Sequence, residues 1–285
     1  MVHTSERIAA RPASERTPFF AVDEPTARPT PVLVEIPHAG LAVPDGVELG
    51  LAASRQAILR DADVYVDKLL AGAEDTGATV LRARVSRYVV DLNRAPDDVD
   101  RETVTDHPSP RTIQPRGVVW RVTTDGKPSL ARPLRYVELQ ERLNRFYFPY
   151  HRRLQEELQR LARQFGHVVL LASHSMPSMG RGNGSRRADV VPGTRGRTTA
   201  SSRVIDLVDR HFRDAGLSVR HDEPYRGGFT TGHYGRPAHG WHAVQIELNR
   251  SLYVHESTGE PKPAEMEELR RIMVSLAGRL AEIEP

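Results

Sequence analysis

The stretch Pro31-Val-Leu-Val-Glu-Ile-Pro37-His38-Ala39-Gly40 decides how this chain folds. The run between its prolines is apolar and rich in β-branched residues, which predicts a buried strand. It ends in a turn of small residues beginning at His38. In open α/β sheets, ligand-binding groups sit at such C-terminal strand ends.

Working outward, the same pattern recurs. Ala52 to Glu74 reads as helical, with Ile58, Val64, Val66, Leu69 and Leu70 on its apolar side, and Gly77 ends the segment. Strands are expected at Thr79–Ala83 and Tyr88–Leu92. The Asp-, Pro- and Thr-rich segment from Asp97 to Pro133 reads as a long covering loop. A long helix follows from Leu134 to Phe165, with Pro149 predicting a kink or break. His167–Ala172 is a short buried strand delivering Ser173-His174-Ser175, and Met176 to Arg197 is loop. A helix at Ser202–Ala215, a strand at Leu217–Arg220, a glycine-rich loop at Asp222–Gly240, a strand at Trp241–Leu248 and a helix at Ala264–Glu282 complete the chain. Strands alternating with helices predict an α/β fold with one mixed, mostly parallel sheet flanked by helices. Residues 1–30 read as a flexible leader, and 31–285 as a single domain.

Composition narrows the function. The 285 residues include no cysteine, which excludes disulfides, thiolate nucleophiles and Cys-ligated metal. Metal chemistry would rest on His, Asp and Glu, a donor set suited to catalytic zinc. The net charge of +3 is scattered and only 6% of residues are aromatic, so neither a basic stripe nor a stacking platform for nucleic acid is expected. No apolar run of about 18 residues predicts a membrane span. The leader has no apolar core of the secretory type, and the expected location is cytoplasmic.

Four apolar segments end in chemically capable residues: Ile36-Pro-His38, Val90-Asp-Leu-Asn93-Arg94, Leu171-Ala-Ser-His174 and Gln245-Ile-Glu247-Leu-Asn249. Parallel strands would gather these ends along one crevice. Two histidines and a carboxylate there match a catalytic zinc, and a further carboxylate would accept a proton from water. Glu247 stands out, because a buried carboxylate needs an ion pair or a metal-linked role.

These motifs resemble zinc carboxypeptidase-type hydrolases and, more closely, the N-formylglutamate amidohydrolase family. The resemblance extends over Pro37-His38-Ala-Gly40, Asp61-Ala-Asp63, Ser86-Arg87-Tyr-Val-Val-Asp91-Leu-Asn93-Arg94 and Tyr225-Arg-Gly227-Gly228-Phe-Thr-Thr-Gly-His233-Tyr-Gly-Arg236-Pro237, within roughly Pro31 to Tyr253. It implies a zinc-carboxypeptidase-like (phosphorylase/hydrolase-like) fold, one Zn2+ per chain, and hydrolysis of N-formyl-L-glutamate to L-glutamate and formate, a step of histidine degradation. Hydrolysis of another N-acyl amino acid, or a binding protein on the same fold, are the alternatives.

By the same resemblance His38 and His174 are zinc ligands. The position where carboxypeptidases carry a Glu is Leu41 here, so the third ligand is expected to be Asp63, with Asp61 in reserve. Glu247 is the expected general base, and Arg87 the expected oxyanion stabiliser. Asn93 and Arg94 would hold a substrate carboxylate, Arg94 bidentately. Gly228 would allow close backbone approach, and His233 or Arg236 would hold a second carboxylate.

Overall fold

The computed structural model describes residues 19–111, 114–180 and 184–284. Its centre is a six-stranded sheet. Along the chain the strands are β1 (Phe20–Asp23), β2 (Val32–Ile36), β3 (Thr79–Ala83), β4 (Val168–Met176), β5 (Val190–Gly193) and β6 (Trp241–Asn249). Their order in space is β1-β3-β2-β4-β6-β5. The four inner strands are parallel, and β1 and β5 are antiparallel edges. The fold is therefore a single α/β domain with a mixed, mostly parallel sheet.

Side-chain alternation builds a core on each face. Val34, Leu171, Val244 and Ile246 pack with α5 (Ser202–Asp214) and α7 (Pro263–Ala281) on one side. Leu33, Leu81, Leu170 and Ala243 share the opposite cluster with α3 (Tyr136–Arg142) and α4 (Phe148–Phe165). From β2 the chain moves outward to β3, then crosses back to place β4 on the other side of β2. Strand order thus reverses between β2 and β4, and a crevice opens at their C-terminal ends. His38 and His174 lie at those two ends.

Several elements differ from the sequence expectations. Strand β1 lies inside the stretch read as a leader; Phe20 packs edge-on against Tyr150, and Phe19 against Phe146. Residues 1–18 lie outside the described residues. The helix expected over 52–74 is broken into α1 (Arg55–Asp61) and α2 (Val66–Leu69). Arg250 causes much of that break: its guanidinium donates to the carbonyls of Arg60 (2.8 Å) and Ala62 (3.0 Å), satisfying the end of α1. The chain then turns, and Tyr65 adopts φ 63° before α2 begins.

The long helix carries a one-turn π-type widening at Leu143–Tyr147, immediately before Pro149 in the first turn of α4. No strand forms at Tyr88–Leu92 or Leu217–Arg220; the latter contributes one isolated bridge, Val190 to Val219. Conversely, β5 occupies part of the expected 176–197 loop, and α6 (Phe229–Tyr234) part of the expected 222–240 loop.

The Tyr88–Arg94 segment explains its own departure. Val89, Val90 and Leu92 are buried as a strand's residues would be, but helix side chains take the backbone carbonyls. Arg142 donates to Val89 (3.2 Å), His151 to Leu92 (3.0 Å) and the Tyr147 hydroxyl to Arg94 (2.8 Å). Burial was legible; the hydrogen-bond partner was not.

Candidate active site

Three side chains meet at the crevice. His38 follows β2, His174 stands near the end of β4, and Asp63 occupies the break between α1 and α2. The Asp63 backbone N–H donates to the His38 carbonyl at 3.0 Å, which ties that break to the end of β2. All three are buried, each about 2% exposed.

Their facing atoms form a tight triangle. His38 Nδ1 lies 3.2 Å from His174 Nδ1 and 3.5 Å from Asp63 Oδ2, and His174 Nδ1 lies 2.9 Å from Asp63 Oδ2. Donors bound at about 2.0–2.1 Å around a tetrahedral zinc are about 3.3 Å apart, so the donor set and spacing fit such an ion. Asp61 is engaged elsewhere. It accepts from the Tyr88 hydroxyl, from the Thr124 hydroxyl and backbone, and from Arg60, pinning the covering loop.

The tautomer of His38 follows from its other nitrogen. Nε2 lies 2.8 Å from Asp91 Oδ1, and Asp91 also accepts from Arg87 Nη2 (2.8 Å), Trp120 Nε1 (3.0 Å) and the Asn93 N–H (2.9 Å). Burial alone would push the Asp91 carboxyl up, but the charge of Arg87 and the His38 contact hold it well below the usual range. A carboxylate with these donors accepts a hydrogen bond from His38 Nε2–H, which leaves the Nδ1 lone pair facing the triangle. Asp63 is likewise held well below its ordinary value, against the effect of burial, by its close neighbours His174 and His38.

Glu247 lies beside His174 in the parallel pairing of β4 and β6, on the same sheet face. It is 7% exposed and lines the cavity. Burial raises its carboxyl to about 7, with His174 opposing the rise. Its orientation comes from an amide relay. The Gly228 N–H donates to Gln245 Oε1 (2.8 Å), and Gln245 Nε2 donates to Glu247 Oε1 (2.9 Å). Asn93 joins the relay through Nδ2, 3.2 Å from both Gln245 Oε1 and His174 Nε2, while its Oδ1 accepts from the Thr230 N–H at 3.0 Å. A Cβ on Gly228 would lie 2.3–2.5 Å from the Asn93 amide, so only glycine permits this approach.

The cavity around these groups measures about 1230 Å³. Arg87, Asn93, Arg94 and Gly228 line it; His233 and Arg236 do not. His233 is exposed on α6 and stacks on Phe229 (4.8 Å), and Arg236 is exposed beyond that helix. Arg87 reaches Asp91 and the Asp61 carbonyl, so two of its nitrogens are already bound. Of the arginines in the 176–197 segment, Arg187 packs over the Tyr225 ring, Arg186 is exposed, and Arg181 lies outside the described residues. Sequence reading missed Asp91 and Trp120 as supports of the site. A carboxylate inside the apolar run Val89–Leu92 was the available signal, by the same reasoning that singled out Glu247.

Comparison with known proteins bears on this architecture. The sequence model for N-formylglutamate amidohydrolase matches residues 30–254. The chain belongs to the N-formylglutamate amidohydrolase family. Consistent with that, it is 33% identical over 251 residues to an N-formylglutamate deformylase of Pseudomonas aeruginosa, covering 86% of this chain and 90% of the relative. A protein of the same name from Pseudomonas putida is 33% identical over 233 residues, 80% of this chain and 83% of its own. The crystal structure of an N-formylglutamate amidohydrolase from Ralstonia eutropha JMP134 superposes with a TM-score of 0.85 at 30% identity, covering 93% of this chain and 97% of the other. An Agrobacterium tumefaciens gene product shares the fold at 22% identity and a TM-score of 0.63. No helix among the described residues of this family member is long and apolar enough to cross a membrane.

Proposed function

We propose that this protein hydrolyses the amide of N-formyl-L-glutamate, giving L-glutamate and formate, with a zinc ion held by His38, Asp63 and His174. The observation that carries the reading is the buried triangle of two imidazole nitrogens and one carboxylate oxygen, with Glu247 on the adjoining strand. Bound there, zinc would supply Lewis acidity toward the amide and toward the attacking water.

The chain's own groups do the rest. Glu247 accepts a proton from the attacking water and later delivers it to the departing nitrogen, so the amine leaves neutral. Gln245 holds Glu247 Oε1 from one side, which fixes the carboxylate without neutralising it. The Arg94 guanidinium makes no side-chain hydrogen bond or ion pair among the described residues, and its fork suits bidentate capture of the substrate α-carboxylate. Asn93, Gly228 and Gln245 hold that segment against β6. Arg87, anchored on Asp91, presents positive charge to the oxyanion as the carbonyl carbon becomes tetrahedral. Trp120 and the covering loop close the far side of Asp91 and keep its carboxylate from water.

The test is formate release by the purified protein from N-formyl-L-glutamate, compared with acetate release from N-acetyl-L-glutamate. Release of formate at least about tenfold faster supports the formyl reading. Equal rates point to a general N-acyl amino acid hydrolase, and no release of either acid refutes the proposed activity.

A further inference from the structure

A dicarboxylate such as N-formylglutamate presents a second anionic group that Arg94 leaves unmatched. Most cationic side chains lining the cavity are already committed. Arg60 holds Asp125 through two nitrogens and Asp61 through a third. Arg87 is bound to Asp91, and Arg250 to two backbone carbonyls at the end of α1. Arg116 lies over the Trp120 ring, and Lys68 points to Asp67 at 3.7 Å.

Arg226 is different. It lines the cavity, its side chain is exposed, and it makes no side-chain hydrogen bond or ion pair among the described residues. Its backbone, by contrast, is clamped. The Arg226 carbonyl accepts from the Arg195 N–H at 2.8 Å, and Arg195 Nη1 donates to the Gly227 carbonyl at 3.3 Å. Gly227 has φ +100° and packs so closely on Gly193 that a Cβ there would lie 2.6 Å from the Gly227 nitrogen. One residue later, Gly228 is bound to Gln245 and pressed on Asn93. A fixed Cα at the cavity wall, on the loop that contacts Asn93, with an exposed guanidinium that lies near Gly196 and makes no side-chain hydrogen bond, leaves a cation free to meet a ligand. The β7–β8 rim (Val254–His255 and Glu260–Pro261) instead brings Glu256 and Glu260 to the cavity, which would repel a second carboxylate.

We propose that Arg226 receives the side-chain carboxylate of the substrate, so that the site selects N-formyl amino acids with acidic side chains. This rests on the deformylase reading above and assigns to Arg226 the role that the sequence suggested for His233 or Arg236. Arg94 would hold the α-carboxylate and Arg226 the distal one, each with paired N–H donors.

The experiment compares kcat/KM for N-formyl-L-glutamate with that for N-formyl-L-glutamine, which has the same shape without the distal charge. The wild-type protein is expected to prefer the glutamate derivative by about tenfold or more. In Arg226→Gln that ratio should collapse toward one, mainly through a higher KM for the glutamate derivative, and Arg226→Lys should restore part of it. Equal losses on both substrates, or an unchanged ratio, would overturn the proposal while leaving the deformylase reading intact. Hydrolysis of neither substrate by the wild type would overturn both.

Discussion

Glu247 and Glu35 are both buried carboxylates on inner strands, yet their surroundings give them opposite uses. Glu247 faces the cavity beside His174, held by Gln245. Glu247→Gln should keep the bound metal and lower kcat by about 10²–10⁴-fold, because positioned proton transfer contributes that much. Metal analysis and steady-state rates check this together; a variant at the wild-type rate would remove Glu247 as the base. Glu35 is fully buried beneath the site, with the Tyr150 hydroxyl donating to one oxygen at 3.2 Å and the other oxygen unpaired. Desolvation raises its carboxyl from 4.5 to about 7, against the opposing charge of His174. The folded state therefore binds a proton more tightly than the unfolded chain, and stability falls as pH rises from about 4.5 to about 7. The loss is on the order of 3 kcal/mol when complete. Glu35→Gln should flatten that decline, read as urea midpoints at pH 5 and pH 7.5. An equal decline in both proteins would show that Glu35 is not its source.

At the level of elements, α4 positions the irregular segment that carries Asp91, Asn93 and Arg94. His151 is central: Nε2 donates to the Leu92 carbonyl, and Nδ1 lies 3.0 Å from the Tyr234 hydroxyl. Burial lowers its pKa to about 3, so the ring stays neutral and keeps both contacts at neutral pH. His151→Phe keeps an aromatic ring but leaves a buried carbonyl unmet, costing about 1–3 kcal/mol. It should also reduce kcat/KM, since Asn93 and Arg94 follow directly. Denaturant titration and kinetics on the same variant check both effects; lost stability with unchanged kcat/KM would separate α4 from the site. The expected Tyr88–Leu92 strand failed for a related reason. Val89, Val90 and Leu92 signal burial, but their period does not reveal whether a strand or a helix side chain satisfies the backbone. The 52–74 helix failed similarly, because Arg250, about 190 residues later, ends α1 and turns Asp63 inward. Strands β2, β4 and β6 were legible since both of their faces are covered, which makes them continuous apolar runs.

For the whole molecule, the reversal of strand order between β2 and β4 turns distant residues into one site. His38 and His174 are 136 positions apart, and Asp63 reaches them only because α1 ends where it does. The chemical character of the strand ends was readable in the sequence, and of the two candidate acids the structure brings Asp63, not Asp61, beside the two histidines. What the sequence conveyed least was support: beyond the buried carboxylate at Asp91, Trp120 and Gln245 act through contacts that join loop, helix and strand. The proposed chemistry is metal-assisted deformylation at the His38–Asp63–His174 triangle. Its most direct test is formate release from N-formyl-L-glutamate by protein dialysed against a chelator and then titrated with zinc. Activity should be lost on dialysis and recover with zinc, saturating at about one zinc per chain. An undiminished rate in protein shown to be metal-free would contradict it.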